Sequence, residues 1–342
     1  MNRDARIYIA GHTGLVGSAL LRKLQAEGHA NLITRTHAEL DLELQSEVKA
    51  FFTDTKPEYV FIAAAKVGGI LANNTYPAEF IYRNLAIQTN VIHSAWKAQV
   101  KRLLFLGSSC IYPRECPQPM KEEYMLTGPL EATNEPYAVA KIAGVKMCEA
   151  YNHQYDTSFI AVMPTNLYGP NDNFDLETSH VLPALIRKFH EGKTGVGGQG
   201  SAVSGKSVHR SPFTVHQEPP KVVIWGTGNP RREFLHVDDL ADACVFIMKL
   251  KEESFRSLLV ACRSPLINIG WGKDISVKEL ALLIKKIVGF DGEIVFDKTK
   301  PDGTPQKLLD VSKLQNLGWL PKISLGDGIK RTYEWCLENS IF

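Results

Sequence analysis

Short apolar runs alternate along the first half of the chain with longer segments in which apolar residues recur every three or four positions. The short runs are typical of buried strands, and the longer segments predict amphipathic helices. The predicted strands span residues 6–10, 30–36, 58–65 and 101–109, and residues 158–169 are predicted to form a strand followed by a loop. The predicted helices span residues 18–28, 46–57, 80–99 and 136–155. This alternation with short connections predicts an α/β fold, a parallel sheet with helices on both faces.

After about residue 165 the alternation loosens into further helices, short strands and loops. Residues 192–220 differ from the rest, because glycine and serine dominate and no apolar period is visible. A flexible surface loop is the preferred interpretation. The alternative is a lid over an anionic ligand, since the segment carries Lys193, Lys206, His209 and Arg210.

Composition narrows the class of protein. The 342 residues are 44% hydrophobic, enough for one large or two closely packed domains, and the net charge of +2 argues against a general nucleic-acid binder. No apolar run approaches the roughly 20 residues that span a bilayer, and the N-terminus enters a strand without a signal-peptide pattern. Six scattered cysteines without a CxxC pair disfavour a metal site and fit a reducing compartment. We therefore expect a cytoplasmic protein without metal, membrane or nucleic-acid partners.

The stretch GHTGLVG places Gly11, Gly14 and Gly17 between the first strand and the first helix. Glycines at such a turn let the backbone approach a pyrophosphate, whose charge the helix N-terminus favours. This spacing resembles the extended branch of the short-chain dehydrogenase/reductase superfamily. The stretch therefore predicts dinucleotide binding, which also involves Thr13, Leu15 and Val16.

The domain organisation follows from this motif. We expect residues 1–165, with returning segments at about 235–270, to form a Rossmann-type, doubly wound NADP-binding domain. A smaller C-terminal α+β domain for the substrate would combine residues 166–234 and 271–342.

The end of the second strand indicates the choice of cofactor. NAD sites place a carboxylate there for the ribose 2′-hydroxyl, whereas arginine accommodates a 2′-phosphate. The strand ends with Arg35, and no acidic residue follows before Glu39. NADP is the predicted cofactor, although Arg35 could instead be a solvated surface residue.

A catalytic set follows from YAVAK, which places Tyr137 and Lys141 four residues apart on one helix face. A nearby ammonium group is expected to lower the pKa of the tyrosine. In an extended strand, Ser108 and Cys110 would point to the same side, with Ser109 opposed. The superfamily uses serine, tyrosine and lysine together at a carbonyl, and Ser108 lies four residues before a tyrosine, as its catalytic serine does.

Cys110 raises a second possibility beside inert core packing. As a thiolate it could take a proton from the carbon next to a ketone. The candidate acid for the opposite face is His180, at the start of a helix. A surface or helix-capping histidine is the simpler interpretation of that residue.

Longer strings give a closer resemblance. They are AAAKVGGI, GSSCIYP, NEPYAVAKIAG, VMPTNLYGPNDNF, SHVLPALIRKFHE, RREFLHVDDLADA and KPDGTPQKLLDV. Together they resemble the GDP-4-keto-6-deoxymannose 3,5-epimerase-4-reductase family, from about residue 5 to residue 338. The resemblance implies epimerisation at C3 and C5 and then reduction of C4 by NADPH, giving GDP-L-fucose.

The resemblance also implies roles for single residues. Cys110 would be the epimerisation base and His180 the acid, with Ser108, Tyr137 and Lys141 as the reducing triad. The residues expected to line NADP, besides the glycine turn, Arg35, Lys141 and His180, are residues 65–70 together with Pro164, Thr165, Asn166 and Leu167. The residues expected to contact the nucleotide sugar are Lys188, Trp225, Arg232 and Asp274. Each could instead be structural, and Trp225 could belong to the core.

Three other functions remain open at this stage. One is the use of a related GDP-4-keto-dideoxyhexose with epimerisation at C5 alone. Another is a nucleotide-sugar 4-epimerase or dehydratase, which recycles its cofactor. The third is a non-catalytic NADP-binding protein. The resemblance also implies a homodimer through a four-helix bundle near residues 80–98 and 136–153.

Overall fold

A computed structural model describes residues 1–195, 219–261, 265–300 and 302–342. The predicted loop at 192–220 therefore lies mostly outside the described residues. Its first residues, Gly192 to Thr194, are the last turn of a helix. Among the described residues, no helix is long and apolar enough to cross a membrane.

The described strands are numbered in chain order. They are β1 Ile7–Ala10, β2 Leu32–Ile33, β3 Tyr59–Ile62, β4 Arg102–Leu106, β5 Phe159–Pro164, β6 Asn166–Tyr168, β7 Lys221–Trp225, β8 Arg231–His236, β9 Leu266–Ile269, β10 Asp274–Ser276, β11 Glu293–Asp297 and β12 Gln306–Lys307. The helices are α1 Leu15–Ala26, α2 Gln45–Thr55, α3 Ile70–Thr75, α4 Pro77–Lys97, α5 Glu135–Tyr155, α6 Val181–Thr194, α7 Val237–Lys249, α8 Glu252–Ala261, α9 Val277–Val288, α10 Ser312–Asn316 and α11 Leu325–Glu338.

Six parallel strands form the larger sheet, in the order β2-β1-β3-β4-β5-β9. Helices α2, α4 and α5 cover one face, and α1 and α7 cover the other. Burial on both faces explains why β1 and β5, and β4 after its first residue Arg102, are apolar. The strand order reverses at β1, and such reversal points form the ligand crevice of doubly wound sheets. The predicted fold class is confirmed.

A second group of elements builds a smaller mixed sheet. Strand β8 is its centre and pairs with β6, β10 and β12, while β7 pairs with β11. Helices α6, α9 and α11 bury a separate apolar cluster against these strands. Helix α9 begins with a capping box in which Ser276 and Glu279 satisfy each other's backbone N–H groups.

Several elements differ from the sequence-based prediction. Residues 222–237 were expected to be one strand and a loop, but they form two strands, β7 and β8. The strand before the serines ends at Leu106, three residues earlier than predicted. Helix α11 has a clear apolar face with Ile329, Tyr333 and Cys336, and it was not predicted.

Candidate active site

The glycine turn sits at the reversal point of the large sheet. A Cβ atom on Gly17 would lie 2.0 Å from the carbonyl oxygen of Gly11, so α1 can approach β1 this closely only with glycine there. Gly11 itself has φ +82°, and a Cβ atom on it would lie 2.7 Å from the backbone nitrogen of Ala64. Thr13 and Gly14 are exposed, and no side chain caps the N-terminus of α1 at Leu15 and Val16. The turn therefore offers free backbone N–H groups to an anion.

The two charged residues after β2 are arranged differently. Glu39 accepts hydrogen bonds from the backbone N–H and the hydroxyl group of Thr36, at 2.7 and 2.8 Å, and these hydrogen bonds lower its pKa. Arg35 is exposed, donates to the carbonyl of Thr34 and lies over the ring of Phe51. The carboxylate is thus occupied within its own turn, while the guanidinium group faces solvent.

Ser108 and Cys110 lie just beyond β4, but not on a strand. Residues Ser109–Ile111 form a turn of 3₁₀ helix, and Ser108 is its extended N-cap. The hydroxyl oxygen of Ser108 accepts from the backbone N–H of Cys110 at 3.4 Å. The reasoning from strand alternation was therefore wrong, because a cap and a turn decide where these side chains lie.

Tyr137 and Lys141 occupy the first turns of α5, beside the end of β4. The ammonium group of Lys141 is buried and donates to the carbonyl of Leu106 at 2.8 Å. It lies 4.8 Å from the ring centroid of Phe105 and 5.7 Å from that of Tyr137. Burial lowers the pKa of Lys141 to about 8, and the neighbouring Cys110 opposes this change. A Cβ atom added at Gly144 would lie only 2.4 Å from the ring of Phe105, so the glycine lets helix α5 lie close against the strand.

The expected lowering of the Tyr137 pKa is not found. Burial raises this pKa, and the nearby Cys110 raises it further, while a hydrogen bond with Ser108 opposes both effects. The tyrosine is therefore a hydroxyl group at neutral pH, in position to donate a proton. Its contact with Ser108 joins two members of the predicted triad.

His180 is the N-cap residue of α6 and makes no side-chain capping bond. Two residues earlier in the chain, the carbonyl oxygen of Thr178 accepts a hydrogen bond from the backbone N–H of Gly69 at 3.1 Å. This bond joins the turn to the loop after β3. The residue is exposed to solvent, although protein packs closely enough around its imidazole to affect its pKa. Burial lowers its pKa, and the positive charge of Lys307 lowers it further.

The neighbours of Cys110 affect how readily its thiol loses a proton. Burial raises the pKa of its thiol, while the hydrogen bond with Ser108 and the ammonium groups of Lys307 and Lys141 pull it down. Lys307 was not among the predicted site residues. It lies inside KPDGTPQKLLDV, a string used for the resemblance, but its strand is only two residues long and gives no periodic signal.

The loop after β5 links the two sheets. The hydroxyl group of Thr165 and the side-chain amide of Asn166 both donate to the carbonyl of Glu233, at 3.1 and 2.8 Å. Pro164 ends β5, and Leu167 lies in β6. The loop at 65–70 is held by the side chain of Asn84, which accepts from the backbone N–H of Lys66. Both loops follow strands of the large sheet, on the side of the glycine turn.

The four predicted substrate residues lie in or beside the smaller sheet. Trp225 is 67% exposed at the end of β7 with Lys300 over its ring, so it is not a core residue. Lys188 donates to the carbonyl of Val223, and burial lowers its pKa. Arg232 donates to the carbonyl of Thr304 at 2.7 Å.

Asp274, the fourth, is engaged within the protein. It forms an ion pair with Arg231 at 2.8 Å and accepts from Gln306 at 2.5 Å. Its carboxylate is therefore less available to a ligand than the exposed indole of Trp225. Within the described ranges, no group of three or more His, Cys, Asp or Glu side chains could hold a metal ion.

The sheet is doubly wound and parallel, with a glycine turn at its reversal point and with serine, tyrosine and lysine at the adjoining strand end. These features define a nucleotide-dependent enzyme of the dehydrogenase/reductase type.

Comparison with known proteins makes this assignment more specific. The profile of the NAD dependent epimerase/dehydratase family matches residues 7–261. The chain is 57% identical to a putative GDP-L-fucose synthase 2 of Arabidopsis thaliana, over 100% of this chain and 94% of that protein. It is 51% identical to the GDP-L-fucose synthase of Escherichia coli K12, over 98% and 97% of the two chains.

A solved structure is similar over its full length in both sequence and fold. MlghC, a GDP-mannoheptose C4 reductase from Campylobacter jejuni with NADP bound, is 44% identical and superposes with a TM-score of 0.83 over 98% of this chain and 99% of that chain. The chain belongs to the NAD dependent epimerase/dehydratase family, and the two full-length relatives from Arabidopsis thaliana and Escherichia coli carry the name GDP-L-fucose synthase. The resemblance inferred from the sequence motifs is confirmed.

Proposed function

We propose that the protein converts GDP-4-keto-6-deoxymannose to GDP-L-fucose, by epimerisation at C3 and C5 followed by NADPH-dependent reduction at C4. The observation that carries this proposal is the meeting of two kinds of chemistry at one point. A hydroxyl pair for a carbonyl oxygen, Ser108 and Tyr137, lies beside a thiol that faces two ammonium groups. A simple reductase needs the hydroxyl groups and has no use for the thiol.

The residues present fit a dinucleotide phosphate. The glycine turn leaves uncapped backbone N–H groups at α1, and the Nδ1 atom of His12 is buried there without a hydrogen-bond partner among the described residues. Arg35 is exposed beside the turn, and Glu39 is occupied by Thr36. This arrangement favours a 2′-phosphate over a free 2′-hydroxyl group. When bound, NADPH supplies the hydride that reduces C4.

The epimerisations use the acidity that the C4 ketone gives to its neighbouring C–H bonds. The thiolate of Cys110 takes the proton from carbon, and the electron pair of that C–H bond moves to the C4 oxygen to form an enolate. Ser108 and Tyr137 donate hydrogen bonds to that oxygen. His180 then delivers a proton to the opposite face of the carbon. The thiol and the imidazole return to their starting protonation by exchange with solvent.

Reduction uses the same oxygen-binding groups. As hydride reaches C4, the hydroxyl group of Tyr137 transfers its proton to the C4 oxygen. The buried ammonium group of Lys141 stabilises the tyrosinate until it is protonated again. Arg232 and Lys188 supply positive charge on the smaller sheet for a diphosphate, and Trp225 supplies an exposed ring for a base.

The proposal also covers the cellular compartment and the oligomeric state. Five cysteines are free in the described part of the chain, which supports a reducing compartment such as the cytoplasm. A homodimer is proposed through α4 and α5.

The experiment follows NADPH absorbance after addition of GDP-4-keto-6-deoxymannose, for the wild type and for Cys110→Ser, with identification of the product sugar. We expect the wild type to consume NADPH and yield GDP-L-fucose. The variant should lose epimerisation while keeping NADPH binding. A wild type that leaves NADPH untouched would overturn the reductase assignment and favour a cofactor-recycling epimerase.

A further inference from the structure

Lys307 lies at the rim of the candidate active site, where two segments from distant parts of the chain meet. Strand β12 pairs with β8, and Lys307 is in register with Arg232. The same residue lines a small cavity together with Cys110. The cavity joins the epimerisation thiol to the smaller sheet.

The two residues that follow Lys307 fix its backbone position through hydrogen bonds. The backbone N–H of Leu308 donates to the side chain of Gln118 at 2.8 Å, and its carbonyl accepts from Met120 at 2.7 Å. The backbone N–H of Leu309 donates at 3.0 Å to Glu233, a carboxylate with no exposed surface. Three hydrogen bonds to two other segments of the chain thus hold the residues directly after this two-residue strand, so the backbone of the lysine has little freedom.

Among the acidic neighbours of Lys307, the thiol of Cys110 has the strongest electrostatic effect on its ammonium group. Within the described part of the chain, the ammonium group forms no ion pair with a carboxylate. Glu131 and Cys116 act on it as weaker negative neighbours than Cys110, and Arg232 repels it. His180 faces the same ammonium group and is disfavoured as a cation by it. Arg114 is the other basic residue of the cavity wall.

We propose that Lys307 is a positioning residue for epimerisation, and that its fixed ammonium group holds negative charge on the sulfur of Cys110. The inference rests on the proposed function, since it concerns the base of the same reaction. A buried thiol is otherwise a poor base, because burial disfavours the thiolate. Lys141 has a smaller effect on the thiol than Lys307, and its ammonium group also donates to the carbonyl of Leu106.

The test uses Lys307→Met and Lys307→Arg in the full-length enzyme. The first readout is the pH dependence of iodoacetamide alkylation at Cys110, measured by mass spectrometry of the Cys110 peptide. We expect Lys307→Met to raise the pKa of the thiol and to reduce alkylation at pH 7 by about tenfold, the effect of one opposite charge in close range. Lys307→Arg should preserve most of the wild-type rate.

The direction of the change separates this role from a structural one. If Lys307 only supported the fold, its loss would loosen the site, expose the thiol and lower its pKa. The second readout is exchange of the substrate C3 and C5 protons with deuterium, which should fall in Lys307→Met with little change in the KM for the nucleotide sugar. An unchanged or lowered thiol pKa would overturn the proposal. A raised KM with unchanged alkylation would also overturn it and assign Lys307 to substrate binding.

The alkylation readout needs no turnover. A failure of the proposed function would therefore appear as absence of product in the wild type, whereas a failure of this inference would appear as an unaltered thiol.

Discussion

At the scale of single residues, the site contains a charged side chain in an environment that destabilises its charge. Lys141 carries a positive charge in a buried position, beside a phenylalanine ring and one carbonyl oxygen. A pKa moved from 10.5 to about 8 corresponds to about 3 kcal/mol of lost stability below pH 8. The hydrogen bond to Leu106 returns only part of this energy.

We predict that Lys141→Met stabilises the ligand-free protein by about 2 kcal/mol at pH 7. Between pH 8 and pH 10 the folded wild type has lost this proton while its unfolded chain still binds it, so wild-type stability rises with pH in that window. The advantage of the variant should therefore shrink toward pH 10. Thermal unfolding across pH 6–10 measures this, with Lys146→Met, an exposed lysine on the same helix, as the control. A difference that does not change with pH would contradict the assigned cause.

At the same scale, Gly17 tests the dinucleotide turn. We predict that Gly17→Ala weakens NADPH binding by about tenfold or more, because its methyl group would occupy the space of the Gly11 carbonyl. Fluorescence titration with NADPH provides the measurement. Gly326→Ala is the matched control, since nothing lies within 4 Å of a Cβ atom at that helical position. Equal NADPH affinity in Gly17→Ala and the wild type would show that the turn tolerates displacement.

At the scale of elements, a single carboxylate joins the pieces of the smaller sheet. Glu233 in β8 accepts from the backbone N–H of Gly272 at 2.6 Å and from that of Leu309 at 3.0 Å. Strand β12 and the loop before β10 are thereby held to the centre of the sheet. Both donors would be buried without partners if the carboxylate were removed.

We predict that Glu233→Ala lowers the free energy of unfolding by about 3 kcal/mol, the usual penalty for stranded buried polar groups. Urea denaturation of the variant against Glu293→Ala, an exposed glutamate on β11, measures this. A loss no larger than that of the control would mean that water or other groups replace the carboxylate.

The elements also show what the sequence could predict. Strands β1, β3, β4 and β5 and helices α4 and α5 were predicted to within a few residues at most ends, because each is buried by a long periodic or uniformly apolar pattern. The turn at Ser109–Ile111 could not be predicted, since its geometry depends on a cap by Ser108. The strand with Lys307 was equally hidden, because hydrogen bonds to Gln118, Met120 and Glu233 create it. Lys307 also lay in one of the long motifs, but its place beside Cys110 depends on tertiary contacts that no local pattern reveals.

At the scale of the whole molecule, helices α4 and α5 lie side by side with a partly apolar outer face. Ile92, Ile142 and Cys148 face the sheet and are buried. Tyr82 and Val139 point outward, at 66% and 39% exposure. The two helices thus bury one face against the sheet and leave Tyr82 and Val139 on the exposed face.

We predict a homodimer whose subunits join through this outer face. Val139→Arg should give monomers, because the new charge would have to be buried in the interface. Size-exclusion chromatography with light scattering measures the mass. Leu320→Arg, at an exposed position away from both helices, should leave the dimer intact. A wild type that is monomeric at micromolar concentration would contradict the prediction.

The central claim is that one oxygen-binding site serves both proton exchange and reduction. The most direct measurement is the reaction of the wild type with GDP-4-keto-6-deoxymannose and NADPH in D₂O, followed by NMR of the product. The account predicts GDP-L-fucose with deuterium at C3 and C5 and with protium from NADPH at C4. A product reduced at C4 without deuterium at C3 or C5 would contradict it, because the thiol would then have no part in the chemistry.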